Sequence, residues 1–298
     1  MRYEGKIFRP GPNESGSYLL QVTMGCSHNK CRFCNFYKDK PFRVRPEEEI
    51  AEDLRLAKRY YGTVPSVFLC DGDPLCLSMP RLRRILGMIN ETFPESAHTR
   101  MYGTFRNALT KTAEDFRELK ALGVDKIYSS LESGSDLVLR QIEKGVTADQ
   151  AVEAAGRMDE AGISYGSTVI LGLGGADHSR EHIAGCIDTL NRIRPDHWGF
   201  TVLRPQYDSP LYEDIRSGKF RLPTYEQIFR EELEIFEGVD FYRNGKPSRY
   251  VGGFFLPGNG IIAGDLPEDR DAILARMRRR REQYGPILNS PIMTGGTL

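Results

Sequence analysis

Ser164-Tyr165-Gly166-Ser167-Thr168-Val169-Ile170-Leu171 is a run of strand-forming residues that ends on the glycine turn Gly172-Leu173-Gly174-Gly175. Val169, Ile170 and Leu171 are its most apolar part. A helix is expected next, over residues 179–192, and a further strand over residues 197–203. Two strands joined by a helix of that length pair in parallel through a right-handed crossover.

The same unit recurs upstream. Strands are expected over residues 17–22, 66–70, 100–105 and 126–131. Helices are expected over 46–61, 80–93, 112–122, 136–143 and 147–161. Pro46 suits a first helical turn, and Glu47, Glu48 and Glu49 suit the positive end of that helix's dipole. Leu82, Ile85, Leu86 and Ile89 form one apolar stripe. Thr112 with Asp115, and Thr147 with Gln150, have capping-box spacing, and Gly123 and Gly162 stop their helices. About six β-α units over residues 17–204 predict an α/β chain with a parallel sheet. Chemistry on such sheets sits in the loops after the strands.

Beyond Pro205 the pattern changes. Residues 206–211 read as loop, 225–237 as helix, 239–264 lack clear periodicity, and 268–284 read as a last helix. The expected division is a core over residues 1–204 and an extension over 205–298 that closes the core and is not an independent domain. No internal repeat is visible.

The composition is globular: 298 residues, 40% hydrophobic and 28% charged. It excludes disordered and collagen-like classes. Forty-one Lys and Arg balance 41 Asp and Glu, so no global charge draws the chain to nucleic acid or anionic membrane. No apolar run has the length of a membrane span. Met-Arg-Tyr-Glu-Gly-Lys at the start lacks a signal-peptide core, so a soluble cytoplasmic chain is expected.

Six cysteines are too sparse for a disulfide scaffold, yet Cys26, Cys31 and Cys34 fall within nine residues. The segment Gly25-Cys26-Ser27-His28-Asn29-Lys30-Cys31-Arg32-Phe33-Cys34 follows the first expected strand. Three soft thiolates on one loop suit three corners of an iron–sulfur cluster and leave a fourth iron open. Lys30, Arg32 and Lys38 are expected to favour thiolate. Spacing alone leaves alternatives: a Cys3His zinc site with His28, an electron-transfer cluster with a distant fourth ligand, or three unrelated thiols.

With these residues the chain resembles the radical S-adenosylmethionine (SAM) enzymes. It lies near the branch holding the Elongator catalytic subunit, oxygen-independent coproporphyrinogen dehydrogenase and the tRNA methylthiotransferases. The resemblance spans residues 18–204. The family's usual spacing is Cys-x3-Cys-x2-Cys, and the first gap here holds one residue more. The resemblance implies a partial (β/α)6 TIM-like barrel with a C-terminal extension. It implies a [4Fe–4S] cluster on Cys26, Cys31 and Cys34, and SAM as the second cofactor, with Phe33 beside the adenine.

Further roles follow by resemblance. Asp71-Gly72-Asp73-Pro74, which alone would read as an ordinary turn, resembles the motif that receives the SAM amino group. Glu132 stands where the family meets the ribose hydroxyls, with Ser130 in the same loop as a further cofactor-binding residue, and Lys144 where it places a cation for the methionine carboxylate. Thr168, Gly172 and Leu203 resemble positions that touch the nucleoside.

The resemblance also implies a flavodoxin or ferredoxin electron donor and an oxygen-sensitive oxidoreductase or transferase. The expected substrate is a small molecule or peptide; an RNA-modifying role competes less well. A non-catalytic zinc-binding interaction protein is the alternative from another class.

Cys70, Cys76 and Cys186 read as small buried side chains. Arg276, Arg278, Arg279, Arg280 and Arg281 read as a solvated helix face offset by Glu268, Asp269 and Asp271. Tyr242, Arg243, Arg249, Tyr250 and Asn259 are expected to line a substrate pocket.

Overall fold

The computed structural model describes residues 2–8, 10, 11, 14–96, 98–244, 246–253 and 260–292. Asn259 lies outside the described residues. The chain divides into two compact units: Met1–Asn29, Phe36–Ser129 and Glu153–Tyr165 form one, and Lys30–Asn35, Ser130–Val152 and Gly166–Leu298 the other.

In the first unit, β1 (Tyr18–Gln21) leads to the two-residue strand β2 (Thr23–Met24), which pairs antiparallel with β3 (Arg43–Val44). Helix α1 (Glu47–Tyr61), strand β4 (Ser66–Cys70), helix α2 (Met79–Thr92) and strand β5 (His98–Tyr102) follow. Next come the short α3 (Phe105–Ala108), α4 (Ala113–Ala121) and β6 (Val124–Tyr128). Strand β1 pairs with β4, β4 with β5 and β5 with β6, all in parallel. Ile50, Leu54 and Ala57 bury one stripe of α1, and the expected stripe Leu82, Ile85, Leu86 and Ile89 is the buried face of α2. Thr112 and Asp115 form the expected capping box of α4.

In the second unit lies α5 (Asp136–Gln141). The division falls inside α6 (Ala148–Glu160) and at the start of β7 (Ser164–Leu171). Then come α7 (Ser179–Ile193), β8 (His197–Val202), α8 (Pro210–Arg216), α9 (Tyr225–Gly238), β9 (Ser248–Gly252), β10 (Ile262–Leu266) and α10 (Arg270–Gln283). Strands β7, β8 and β9 are successive parallel neighbours, and β10 is antiparallel to β9. The class is α/β with mostly parallel strands, as the repeated units predict. Among the described residues, no helix is long and apolar enough to cross a membrane.

Several expectations are corrected. The strand expected over 100–105 ends at Tyr102, because the Thr104 hydroxyl accepts from the Asn107 backbone N–H and starts α3. The strand expected over 126–131 runs from Val124 to Tyr128. The loop expected over 206–211 gives way to α8, started by a Ser209 cap and Pro210 in the first turn. The region without periodicity holds β9 and β10.

Tyr242 and Tyr250 are both buried, and Tyr250 packs edge-on against Trp198. Arg249 is paired with Asp265. The arginine run is not a free solvated face. Helix α10 lies on α9, so Arg278 meets Glu237, Arg281 meets Glu226, and Arg280 is buried against Glu232.

Candidate functional site

The first unit carries Cys26, Asp71, Gly72 and Asp73. Gly25 adopts a positive φ of 71° and donates its N–H to Asp71 Oδ2 at 3.1 Å. That oxygen also takes Lys40 Nζ at 2.6 Å and Gln21 Nε2 at 3.4 Å. Asp71 and Lys40 are both buried, and a buried charge persists only when paired. The Asp71 side chain therefore anchors the loop that bears Cys26.

Gly72 donates its N–H to Gly25 O at 3.2 Å. A Cβ on Gly72 would stand 2.8 Å from the Tyr37 ring, 2.9 Å from Cys26 Cβ and 2.9 Å from Gly25 O. Only glycine lets the two loops approach so closely. Gly72→Ala is expected to push the Cys26 loop aside and cost about 1–3 kcal/mol of stability. Cluster iron per chain should fall with it, and unchanged iron and melting temperature would contradict this reading.

Asp73 is fully buried. Its carboxylate accepts from Ser27 Oγ at 2.7 Å, Thr104 N and Oγ1 at 3.2 Å each, and Asn107 Nδ2. Burial outweighs these donors and raises its pKa. Both carboxyl oxygens are thus engaged by protein, and they fix the residue that follows Cys26. Nearby, burial pushes the Cys76 thiol up to about 12 and raises that of Cys70. Both stay protonated at neutral pH.

The second unit carries Cys31, Phe33 and Cys34, all half-buried. Arg32 N donates to Ile142 O at 3.0 Å, Leu211 N to Arg32 O at 2.9 Å, and Cys34 N to Cys31 O at 3.3 Å. The Arg32 guanidinium meets Asp214 at 2.5 Å and Glu143 at 3.3 Å. Two carboxylates thus share its charge.

Glu132 sits at a positive φ of 66°. Such a residue costs about 1–3 kcal/mol and marks a site held by its surroundings. Here the hold is visible: Glu132 N donates to Thr168 O at 2.8 Å, and Ile170 N donates to Glu132 O at 3.0 Å. The Glu132 side chain takes Lys144 Nζ at 2.9 Å, and both are largely buried. Two residues 12 apart in sequence are brought together, beside the half-buried Thr168. Ser130 is half-buried in the same loop.

Gly172, at φ 83°, is covered: a Cβ would meet Ile228 at 2.7 Å and Pro223 at 2.9 Å. Its N–H donates to Glu231 Oε2 at 2.6 Å. Leu203 is buried, with its N–H on Leu171 O at 2.9 Å.

Glu231 and His182 are functional candidates absent from the sequence reading. Both are fully buried. Glu231 also accepts from Ser179 Oγ at 2.7 Å, and His182 Nδ1 meets Ser133 Oγ at 2.9 Å. His182 Nε2 stands 3.8 Å from Glu231. Hydrogen bonds thus tie His182 to the loop of Glu132 and Glu231 to the turn at Gly172, and the two buried side chains stand side by side. Burial raises the Glu231 pKa to about 7 and lowers that of His182 to about 4. The available signal was a carboxylate on the apolar face of a helix, between Ile228 and Ile235.

All six cysteines are free thiols. Cys26, Cys31 and Cys34 are partly exposed, whereas Cys70 and Cys186 are buried. Three accessible soft donors in one short segment fit an iron–sulfur cluster. Among the described residues, no group of three His, Cys, Asp or Glu side chains is arranged to hold a metal ion. The ligand set therefore rests on donor chemistry and spacing.

The model of the Radical SAM superfamily matches residues 20–190, more than half of the chain. The chain is 24% identical over 221 residues to the heme chaperone HemW of Bacillus subtilis, across 72% of this chain and 56% of that protein. It thus spans little more than half of that relative's length. Coproporphyrinogen III oxidase (HemN) from Escherichia coli, a radical SAM enzyme, is similar in fold. The TM-score is 0.54 at 14% identity, over 74% of this chain and 50% of that one. The archaeal Methanocaldococcus infernus Elp3 gives a TM-score of 0.51 at 11% identity, over 91% and 64%. These likenesses are of fold, and they match the expected partial (β/α)6 barrel.

Proposed function

Because the chain belongs to the Radical SAM superfamily, whose cofactors are a [4Fe–4S] cluster and SAM, we propose that it cleaves SAM reductively and uses the resulting 5′-deoxyadenosyl radical to abstract hydrogen from a substrate. The observation that carries this reading is the three-thiol segment, which lies inside the span the family matches. Cys26, Cys31 and Cys34 hold the cluster, and Phe33 lies against the nucleoside. Cofactor and SAM together supply the radical; the chain's own residues bind, orient and exclude water.

Each unit has a share of that work. In the first, Asp71 and Asp73 act through their contacts, fixing the loop around Cys26 while the backbone at Gly72 stays close to it. In the second, Glu132 and Lys144 offer one acceptor carboxylate and one cation. That chemistry suits two vicinal ribose hydroxyls and an amino-acid carboxylate. Ser130 and Thr168 add hydroxyls nearby. Gly172 and Leu203 hold the end of β7 in shape from beneath, because packing covers both.

The electron is supplied by a flavodoxin or ferredoxin, in a reducing cytoplasm, and the loaded enzyme is oxygen-sensitive. Residues 205–298 act as an extension of the core. The substrate is a small molecule or peptide rather than RNA, in keeping with the neutral charge balance. Family membership favours the cluster over a Cys3His zinc module.

Glu132→Gln and Lys144→Ala test the SAM contacts. Each removes one charged partner worth about 1.5–3 kcal/mol, or roughly tenfold or more in SAM affinity. Equilibrium dialysis of SAM should show that loss while iron per chain is unchanged. SAM affinity equal to wild type in both variants would remove these residues from the site.

A further inference from the structure

One face of β4, β5 and β6 carries Val67, Leu69, Met101 and Ile127, all fully buried. The alternate residues, on the other face, include Phe68, Arg100, Tyr102 and Tyr128, and the last three are only half-buried. The polar heads of Arg100 and Tyr128 are occupied. Glu14 takes Arg100 Nη1 at 2.9 Å and the Tyr128 hydroxyl, and Arg100 Nε reaches Asp125 at 3.1 Å. What this face still offers is aromatic surface.

The rings form a continuous chain. Phe36 lies 4.7 Å from Phe8, Phe8 5.7 Å from Tyr102, Tyr102 4.9 Å from Phe68, and Phe68 5.8 Å from Tyr128. Its outer end is open: Phe8 is 42% exposed and Phe36 55%. Paired aromatics left in water mark a binding surface more than a core. A cavity of about 330 Å³ opens there, lined by Lys6, Ile7, Phe8, Phe36 and Tyr37. Tyr37 is its buried wall, and the Tyr37 ring is the one that touches Gly72, against Cys26. The cavity and the cysteine loop thus share a wall inside one unit.

We propose that this cavity binds a flat aromatic group of the substrate, about two fused rings in size, stacked on Phe8 and Phe36. The volume lies at the small end of small-molecule sites and is too small for a folded partner. The Glu14–Arg100–Tyr128 cluster is satisfied internally, and four of the five lining residues are apolar or aromatic; the fifth, Lys6, can lie over the face of a stacked ring. Its role as a substrate site rests on the SAM-cleavage reading; the binding itself does not.

The test is anaerobic equilibrium dialysis of 2-naphthol against the reconstituted full chain. Saturable binding to one site is expected, weakened at least tenfold by joint Phe8→Ala and Phe36→Ala substitution. Tyr60→Ala, which removes an aromatic exposed elsewhere, should leave binding unchanged. Phe8→Leu with Phe36→Leu keeps apolar volume without rings, so it guards against misfolding and should also weaken binding. The proposal is overturned if the wild type shows no saturable binding, or if the Phe8 and Phe36 variants bind as wild type does. It is also overturned if sedimentation shows the wild type to be a dimer that these variants dissociate, since the patch would then be an interface between copies. Deoxyadenosine formation by the same wild-type preparation is read separately, so failure of the cavity and failure of SAM cleavage are distinguishable.

Discussion

Cys31→Ala is expected to lose cluster iron and to form less than about one-thousandth of the wild-type 5′-deoxyadenosine. Groups that act as a unit in catalysis fail together rather than in proportion, and three thiolates around one cluster are such a unit. The substitution is mild for the fold. Cys31 is half-buried, and the bond from Cys34 N to Cys31 O uses only backbone atoms. The segment stays pinned through Arg32 N on Ile142 O and Arg32 on Asp214. Cys70→Ala is the control, since that thiol is buried and protonated, and it should keep its iron. His28→Ala should keep iron as well. Iron retained in Cys31→Ala would remove it from the ligand set, and iron lost in His28→Ala would move the imidazole into it.

Glu231→Ala is expected to have the largest effect on stability. It strips the Gly172 N–H and the Ser179 hydroxyl of their buried acceptor. Each unpaired buried donor costs about 1–3 kcal/mol, so a loss of roughly 2–6 kcal/mol should appear in thermal or urea unfolding. SAM affinity should fall too, because Glu231 packs beside His182, which meets Ser133 in the Glu132 loop.

Glu231→Gln keeps an acceptor for Gly172 and separates charge from shape. The folded Glu231 pKa, about 7, lies above its ordinary 4.5. Its contribution is therefore fully present below about pH 4.5 and is lost as pH rises through 7. Glutamine does not titrate, so the variant should gain on wild type between pH 5 and 7 and hold that gain above. The ceiling is roughly 3 kcal/mol at about 1.4 kcal/mol per pH unit. His182 runs the other way: depressed to about 4, it contributes stability above pH 6.5 that is lost as pH falls toward 4. Glu232, also raised to about 7, adds to the loss at higher pH. The difference between variant and wild type sets Glu232 aside and reads Glu231 together with its neighbour His182. A flat difference from pH 4 to 8 would contradict the buried-carboxylate account.

The core strands and helices were legible because each is a contiguous run with its own punctuation. The stripe of α2 and the capping box of α4 are signals spread over a few residues. Strands β9 and β10 were not, since each alternates over only five residues in a stretch rich in Gly and Arg. The three cysteines were legible for the same local reason.

The contacts that position them were not. Asp73 reaches Ser27 across 46 residues and Asn107 across 34, and Glu231 reaches Gly172 across 59. Such partners are set by how the chain folds back, and one polar residue at each end leaves no periodic trace. The open aromatic face leaves no local trace either, because Phe8, Phe36, Tyr102 and Tyr128 come from four separate segments.

SAM cleavage is read by anaerobic reconstitution with iron and sulfide, reduction with dithionite, addition of SAM, and assay of 5′-deoxyadenosine. A [4Fe–4S] enzyme should hold about four irons per chain and form deoxyadenosine above the protein-free control, dependent on Cys26, Cys31 and Cys34. Stoichiometric zinc with no iron–sulfur cluster and no deoxyadenosine would contradict this reading.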